Sequence, residues 1–600
     1  MRRRGTRGLT GGITGGVTGG ITGRVAAGAT LVALALSGCA SIPRTGAVHE
    51  GPLSVVGSEE PAVRVVAAPP RVGATAGDVV RGFLLASASF ENDSAAARLY
   101  LTQAAASAWR PDRGVTVYQS DSLQLEVVPD ASGQRATARL TVREVGRVDA
   151  AGQYRQLAEP TSTSVALTLA RERGEWRIAR VDDGLLLTAF DVGRAFTALS
   201  AYFLTPDRTR VVPDPLLLPR RPALATVLTQ RVLAGPSPWL APAVVSAVPS
   251  GARLSVASVP VVDGVAQVDL DDSVLGLPAA ALAGLSAQLV WTLRQLPDVR
   301  AVHLTVHEQD LQVPGVPAEQ SVDAWDGYDP AGLAPGAAAY VVRGDRLGTV
   351  AQGRFEPVPG PAGDGRTPLA QPALSLDGRL VAGTTAGGTA LMAGEVGPGE
   401  QLTTVLRGGE LAPPSWDPQD RLWTVDRRSG TVWRLRLGQQ AQQVTVEDPG
   451  GRVRTVRVAR DGTRALVVVR DGAGHDRLEL GVVVERGEGP RIQGLYLLDP
   501  EAVQVRDAAW VDDHQVAMAV GPEAAGGTVA GGDSTEGVVV TDLFGQPSTP
   551  TGSLSAPPVA VAAAPAPHPL LVQTVDGRLW SSSGRAWLPL GPGRDPAYPG

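Results

Sequence analysis

Cys39 is the only cysteine in 600 residues, which narrows what its sulfur can do. A lone thiol closes no intramolecular disulfide, and one thiolate cannot by itself hold a structural metal. His303 and His307, in VHLTVHEQD, are the next candidates for chemistry. Residues four apart on a strand stand about 13 Å from one another, too far to share an ion. The alternation of Val302, Leu304 and Val306 reads as such a strand, with the histidines turned to solvent. They also lack the H-E-x-x-H order of a zinc protease. The tract GGITGGVTGG carries no G-K-[ST] and follows no strand, so it does not read as a phosphate loop. No G-x-S-x-G is present. The residue types therefore predict no enzyme, no cofactor and no metal, and leave Cys39 as the residue to explain.

Its flanks supply the explanation. Arg2, Arg3, Arg4 and Arg7 make a positive start, a Gly/Thr tract follows, and Val25 to Leu36 is apolar. This is the layout of a secretory signal peptide, whose arginines stay on the cytoplasmic side. The apolar run is too short to span a bilayer by itself, and nothing after Cys39 is long and apolar enough to do so as a helix. Leu36-Ser37-Gly38-Cys39 resembles the bacterial lipobox. The resemblance implies a diacylglycerol thioether on the Cys39 sulfur, cleavage after residue 38, and a mature chain anchored by lipid on the extracytoplasmic face of the cell membrane. One acyl chain binds only marginally, whereas two or more give a stable anchor.

Loss of residues 1–38 removes five arginines and no acid, so the formal charge moves from −6 to −11. Such a chain is a poor partner for nucleic acid. Every basic residue is Arg and none is Lys, which with the Ala, Gly and Pro content points to a high-GC genome of the actinobacterial kind. The length predicts three or four domains.

Residues 39–74 read as a tether, rich in Pro, Gly and Ser and without a sustained period. Over 75–195, Val79, Val80, Phe83 and Leu84 repeat at helical spacing. Asp93 or Ser94 is a candidate N-cap for AAARLYLTQAAASAW. Alternating strands follow around Leu123, Leu125 and Val127, Leu140 and Val142, Val165, Leu167 and Leu169, and Trp176 and Ile178. This α+β order, ending in GEWRI, resembles the nuclear-transport-factor-like fold. That fold's cavity sometimes holds an Asp/His pair, but residues 75–195 contain no histidine, so a scaffold is expected.

Residues 196–315 show a strand with a turn in LSAYFLTPDRTRVVP, a helix in PALATVLTQRVLAGPS, and two strands joined at Asp263-Gly264. A second helix carries Leu282, Leu285, Leu289, Leu293 and Leu296 on one face, and a last strand is RAVHLTVHEQDLQV. YF, LAGPS, AVPSGARL and VDGVAQVDL, in that order, resemble the α/β GerMN domain. Residues 316–336 read as a Pro/Gly-rich connector with few contacts. Over 337–600 a strand-turn-strand phrase recurs at 372, 413, 456, 507 and 561, its aspartates Asp377, Asp417, Asp461 and Asp512 spaced by 40, 44 and 51 residues. That period suits a β-propeller blade of four strands, with AYVVRGDRLGTV at 339 available for a closing blade. The aspartates are expected to cap turns at blade edges, not to form a carboxylate ring.

Taken with SGCASIPRTGAV and Trp325-Asp326-Gly327-Tyr328-Asp329-Pro330, the domain order resembles the actinobacterial LpqB lipoprotein family along nearly the whole chain. The resemblance implies an accessory of the MtrA/MtrB two-component system acting on the ectodomain of the sensor kinase MtrB. It carries over no catalytic residue and no partner-binding residue. A glycan- or peptide-binding envelope lipoprotein is the alternative.

Overall fold

A computed structural model describes residues 68–600, apart from 90–93, 352, 486, 488, 523–535 and 545–548. The first domain begins with the helix Ala76–Ser87, whose start is set by a reciprocal cap. Asp78 N–H donates to Thr75 Oγ1 (3.2 Å), and the Asp78 carboxylate accepts from the Thr75 hydroxyl (2.6 Å). Val79, Val80 and Phe83 are buried from this helix. They pack with Leu140, Leu167, Leu169 and Ile178 of a mostly antiparallel sheet whose strands Arg135–Asp149 and Tyr154–Glu172 form its long spine, with one parallel pair between Gly114–Tyr118 and Leu185–Thr188. The single restart expected after residue 94 is instead two short helices, Ala95–Arg98 and Gln103–Ala108. Leu101 between them bridges to Ile178, so the chain spends those residues on the sheet edge. Ser94 occupies the N-cap position without a side-chain cap bond, at φ 57°; the second short helix is capped by Thr102.

The second domain opens with the paired strands Phe196–Leu204 and Val211–Pro219. The helix Ala279–Leu293 lies close on them. A Cβ at Gly284 would come within 2.8 Å of Leu204 Cδ1 and 3.1 Å of Ala247 Cβ, so a larger residue there would have to displace the Leu204 side chain. Leu285, Leu289 and Leu293 are fully buried, as their spacing predicts, and Leu296 nearly so. The helix leads to Ala301–Val306, which pairs in parallel with Val265–Leu270. The strand expected before Asp263-Gly264 shrinks to Val261–Val262 plus a lone bridge from Leu254 to Leu270.

Residues 316–336 are not a loose connector. Glu319–Ser321 adds a strand antiparallel to Ala301–Val306. Trp325 Nε1 donates to Gln320 Oε1 (2.8 Å), Trp291 Nε1 donates to the Trp325 carbonyl (2.9 Å), and Arg294 pairs with Asp326 (3.0 Å). The aromatic rings of this stretch find apolar surface on the 279–293 helix, and its polar atoms are satisfied there, which composition alone could not show.

From residue 339 onward the described strands form six four-stranded blades in succession, the third and fourth joined at their outer edges into one sheet by the parallel pairing of Thr445 with Arg491 and Val446 with Ile492. Their innermost strands are Arg594–Ala597, Ala370–Leu374, Ser415–Trp416, Arg452–Val458, Val505–Trp510 and Pro558–Ala562, each touching the next and the last touching the first. The five recurring phrases are the inner hairpins of blades 2 to 6. Blade 1 takes its three outer strands from residues 339–357 and its innermost from the C-terminus, Tyr340 pairing with Ala597 and Val342 with Arg594. The ring is thereby closed by hydrogen bonds between the two ends of the domain.

Candidate functional site

Cys39, the signal peptide and most of the tether lie outside the described residues. His303 sits on its strand with Nδ1 2.9 Å from Gln267 Oε1 and Nε2 2.9 Å from Asp310. His307 is not on that strand: the chain turns after Val306, and His307 (φ 49°) faces Asp272 at 2.9 Å. The two imidazoles engage different carboxylates, one on each side of the turn.

The four repeat aspartates are turn caps. Asp377 Oδ1 accepts from Arg379 N (3.0 Å), Asp417 Oδ1 from Gln419 N (3.0 Å), Asp461 Oδ1 from Thr463 N (2.7 Å) and Asp512 Oδ1 from His514 N (2.9 Å). Each carboxylate holds an amide two residues on, the Asx geometry that fixes a tight turn between the first two strands of a blade.

Two of those turns, with the outer strand Arg491–Leu497 of blade 4, carry the docking seam between the propeller and the two domains before it. Tyr202 donates its hydroxyl to Asp513 Oδ2 (2.6 Å), Trp239 Nε1 donates to the Gly494 carbonyl (2.8 Å), and Gln419 Nε2 donates to Asp207 Oδ2 (3.0 Å). All three domains meet at one point. The Arg155 guanidinium of the first domain lies 4.5 Å from the ring centre of Tyr496 and 5.6 Å from that of Trp239, and these rings meet edge-on at 5.7 Å. Nearby, buried Asp214 accepts from Ser237 N (2.6 Å) and from Gln153 Nε2 (3.2 Å), which ties the first domain to the second. Val482 and Val484 of blade 4 belong to the hydrophobic core of the second domain, so the seam is apolar as well as polar.

Asp512, Asp513 and His514 cluster closely enough to suggest a cation site, but Asp512 Oδ1, both Asp513 oxygens and His514 Nδ1 already have partners. Asp512 Oδ1 accepts two backbone amides, and Asp513 accepts from Tyr202 and His514. Arg464, whose guanidinium donates to the Asp513 carbonyl, supplies positive charge beside them. Burial works against the His514 charge, yet the hydrogen bond and charge of Asp513, with Asp512, lift its pKa to about 9, against the repulsion of Arg464. A histidine raised in this way contributes stability that is whole below its unfolded value of about 6.5 and is lost as pH climbs through the folded value. The imidazole is 40% exposed, so solvent screens part of the effect. The unfolding midpoint should therefore fall between pH 6.5 and 9.5 in the wild type and fall less in His514→Gln. Equal slopes in the two proteins would remove His514 as the cause.

Toward one end of the propeller's central channel, buried Arg460 lines a smaller cavity of about 80 Å³ with Trp510 and Tyr598 and donates to the carbonyls of Pro599 (3.1 Å), Trp510 (3.2 Å) and Ala563 (2.9 Å); burial brings its pKa down to about 10. The other end, formed by the starts of the innermost strands, opens as a cavity of about 380 Å³. Arg427, Arg454, Arg457, Arg470 and Arg506 line it, with Asp476, Asp507 and Asp595. None of these arginines was singled out by motif. The available signal was VRTVRVAR at residues 453–460, an inner strand with arginines where other blades place Pro, Ala or Val.

Three family models match the chain: "Lipoprotein LpqB, N-terminal domain" over residues 69–193, "Sporulation and spore germination" over 200–312, and "Lipoprotein LpqB beta-propeller domain" over 345–599. The chain is similar to Lipoprotein LpqB of Thermobifida fusca, 31% identical over 96% of this chain and 99% of that one. It is also similar to Lipoprotein LpqB of Streptomyces coelicolor, 31% identical over 96% of this chain and 98% of that one. Among solved structures, a chain of a nidogen/laminin complex superposes with a TM-score of 0.33 at 11% identity, covering 44% of this chain and 98% of that one. The tandem GerMN domains of GerM from Bacillus subtilis give 0.18 at 20% identity, over 21% and 45%.

Proposed function

The chain belongs to the LpqB family of lipoproteins, and from that membership we propose that it acts without catalysis, as an extracytoplasmic accessory of the MtrA/MtrB system that binds the ectodomain of the sensor kinase MtrB. The observation that supports this reading is the seam. Tyr202, Trp239 and Arg155 lock the propeller to the domains before it through hydrogen bonds, an edge-on ring contact and a guanidinium over the Tyr496 ring. A ligand shifts a conformational equilibrium only by its difference in affinity for the two states. A body whose domains are fixed against one another can hold such a difference, because its surfaces do not rearrange to suit both states. Anchoring through Cys39 would add effective concentration, so that a modest affinity suffices.

The test is MtrB reconstituted in vesicles, with the lipidated chain added at matched surface density. Binding accompanied by a change in autophosphorylation is expected. No binding and no change, with both proteins folded, would overturn the proposal and favour the glycan- or peptide-binding alternative.

A further inference from the structure

We propose that the open mouth of the propeller channel is a binding site for a phosphate-bearing anion. The inference does not rest on the kinase reading. It starts from which charges at the mouth are already spoken for. Asp476 takes two bonds from Arg470 (2.9 and 2.6 Å), Asp507 takes one from Arg457 (2.9 Å) and one from Val561 N (3.2 Å), and Asp595 pairs with Arg594 (2.7 Å). Three lining guanidiniums remain. Arg427 and Arg454 stand beside a single carboxylate, Glu410, at 3.9 and 3.7 Å, longer than hydrogen bonds. Their good bonds go to neutral groups: Arg427 Nε to the Arg454 carbonyl (3.1 Å), Arg454 Nη1 to the Arg427 carbonyl (3.1 Å). Arg506 is exposed and has no ion pair with any described residue.

Three cations against one loosely held carboxylate leave about two positive charges facing the cavity. The surplus is costly where it stands. Burial, then the charge of Arg454, pushes the Arg427 guanidinium below its ordinary pKa, so these groups repel one another in a partly desolvated wall. A dianion in the mouth would reverse that repulsion, and the guanidinium fork suits phosphate oxygens, which it can meet by two parallel bonds. A volume of about 380 Å³ falls in the range of small-ligand sites. In a chain of formal charge −6, this local reversal of sign would also draw an anion to the mouth and away from the rest of the surface. The phosphate could belong to a free ester or to a lipid headgroup; the chemistry is the same and the test separates them.

The experiment uses the full mature chain carrying Cys39→Ser, so that no acyl chain contributes. Calorimetric titration with inorganic pyrophosphate and with glycerol 3-phosphate, at constant ionic strength, is run beside flotation with phosphatidylglycerol-containing and pure phosphatidylcholine vesicles. Saturable binding of either soluble phosphate is expected, weakened about 10-fold or more in Arg454→Gln/Arg506→Gln, a loss of about 1.4 kcal/mol. Arg506→Gln alone keeps the fold unperturbed, since its side chain holds nothing, and should show part of that loss. Arg585→Gln, an exposed arginine outside the cavity, should bind as wild type. Arginine-dependent flotation with phosphatidylglycerol vesicles, in the absence of soluble-phosphate binding, would also support the site and assign the lipid as source. No saturable binding in any arm, or equal affinity in the wild type and the double variant, would overturn the proposal.

Discussion

A Cys39→Ala chain is expected to take up no fatty-acid label and to leave the membrane fraction, either as soluble protein or as an unprocessed precursor. Without the sulfur there is no thioether. The apolar stretch from Val25 to Leu36 is about 12 residues, against the roughly 20 that a helix needs to cross the hydrocarbon core. Among the described residues, no helix is long and apolar enough to provide a second route across. The effect should be all or none in the label and nearly so in fractionation. Metabolic labelling with an alkyne fatty acid, followed by membrane fractionation, measures both. Label on the alanine chain would sink the assignment of Cys39 as the attachment point.

Arg464→Met should cost the propeller about 3–5 kcal/mol, because it strands a buried carboxylate. The Arg464 and Asp461 side chains are 1% and 0% exposed, joined by two bonds of 2.9 and 2.6 Å to Asp461 Oδ2. The same guanidinium donates to the Asp513 carbonyl and lies 4.9 Å from the ring centre of Trp510. Removing it therefore leaves Asp461 without a counter-charge and loosens the hairpin turn on which Tyr202 docks. The double variant Asp461→Asn/Arg464→Met should recover part of the loss, since no charge is then left uncompensated. By contrast, Arg578→Met removes an exposed pair with Asp576 and should shift stability by less than about 0.5 kcal/mol. Urea unfolding of the three variants is the measurement. An Arg464→Met midpoint indistinguishable from wild type would show that the buried pair does not hold the turn.

The legible parts of this protein are those in which short-range chemistry decides the structure. The Leu285, Leu289, Leu293 row was readable because apolar residues at helical spacing line up on one face, although the tertiary structure buries Ser286, Gln288 and Thr292 of the same helix as well. The repeat aspartates were readable as caps because a carboxylate two residues before an amide closes a turn whatever surrounds it. The misreadings lie where tertiary contacts compete with local preference. His307 leaves the strand because the chain must return along Gln309–Asp310. The 316–336 stretch has a linker's composition but is drawn into an existing sheet and onto Trp291.

The sequence by itself determined the order of three domains, the period of the propeller and, through the chemistry around Cys39, the expectation of a lipid anchor. Each follows from interactions within a few tens of residues. Only the tertiary structure decided the rest. Blade 1 is completed by Arg594–Ala597, some 250 residues from its partner Ala339–Arg343, and no local pattern announces a pairing at that separation. The joining of the domains at Tyr202, Trp239 and Arg155 depends on surfaces that exist only after each domain has folded. The arginine surplus at the channel mouth is likewise invisible in a chain whose net charge is negative. It arises because radial repetition brings Arg427, Arg454 and Arg506, from three different blades, to one opening.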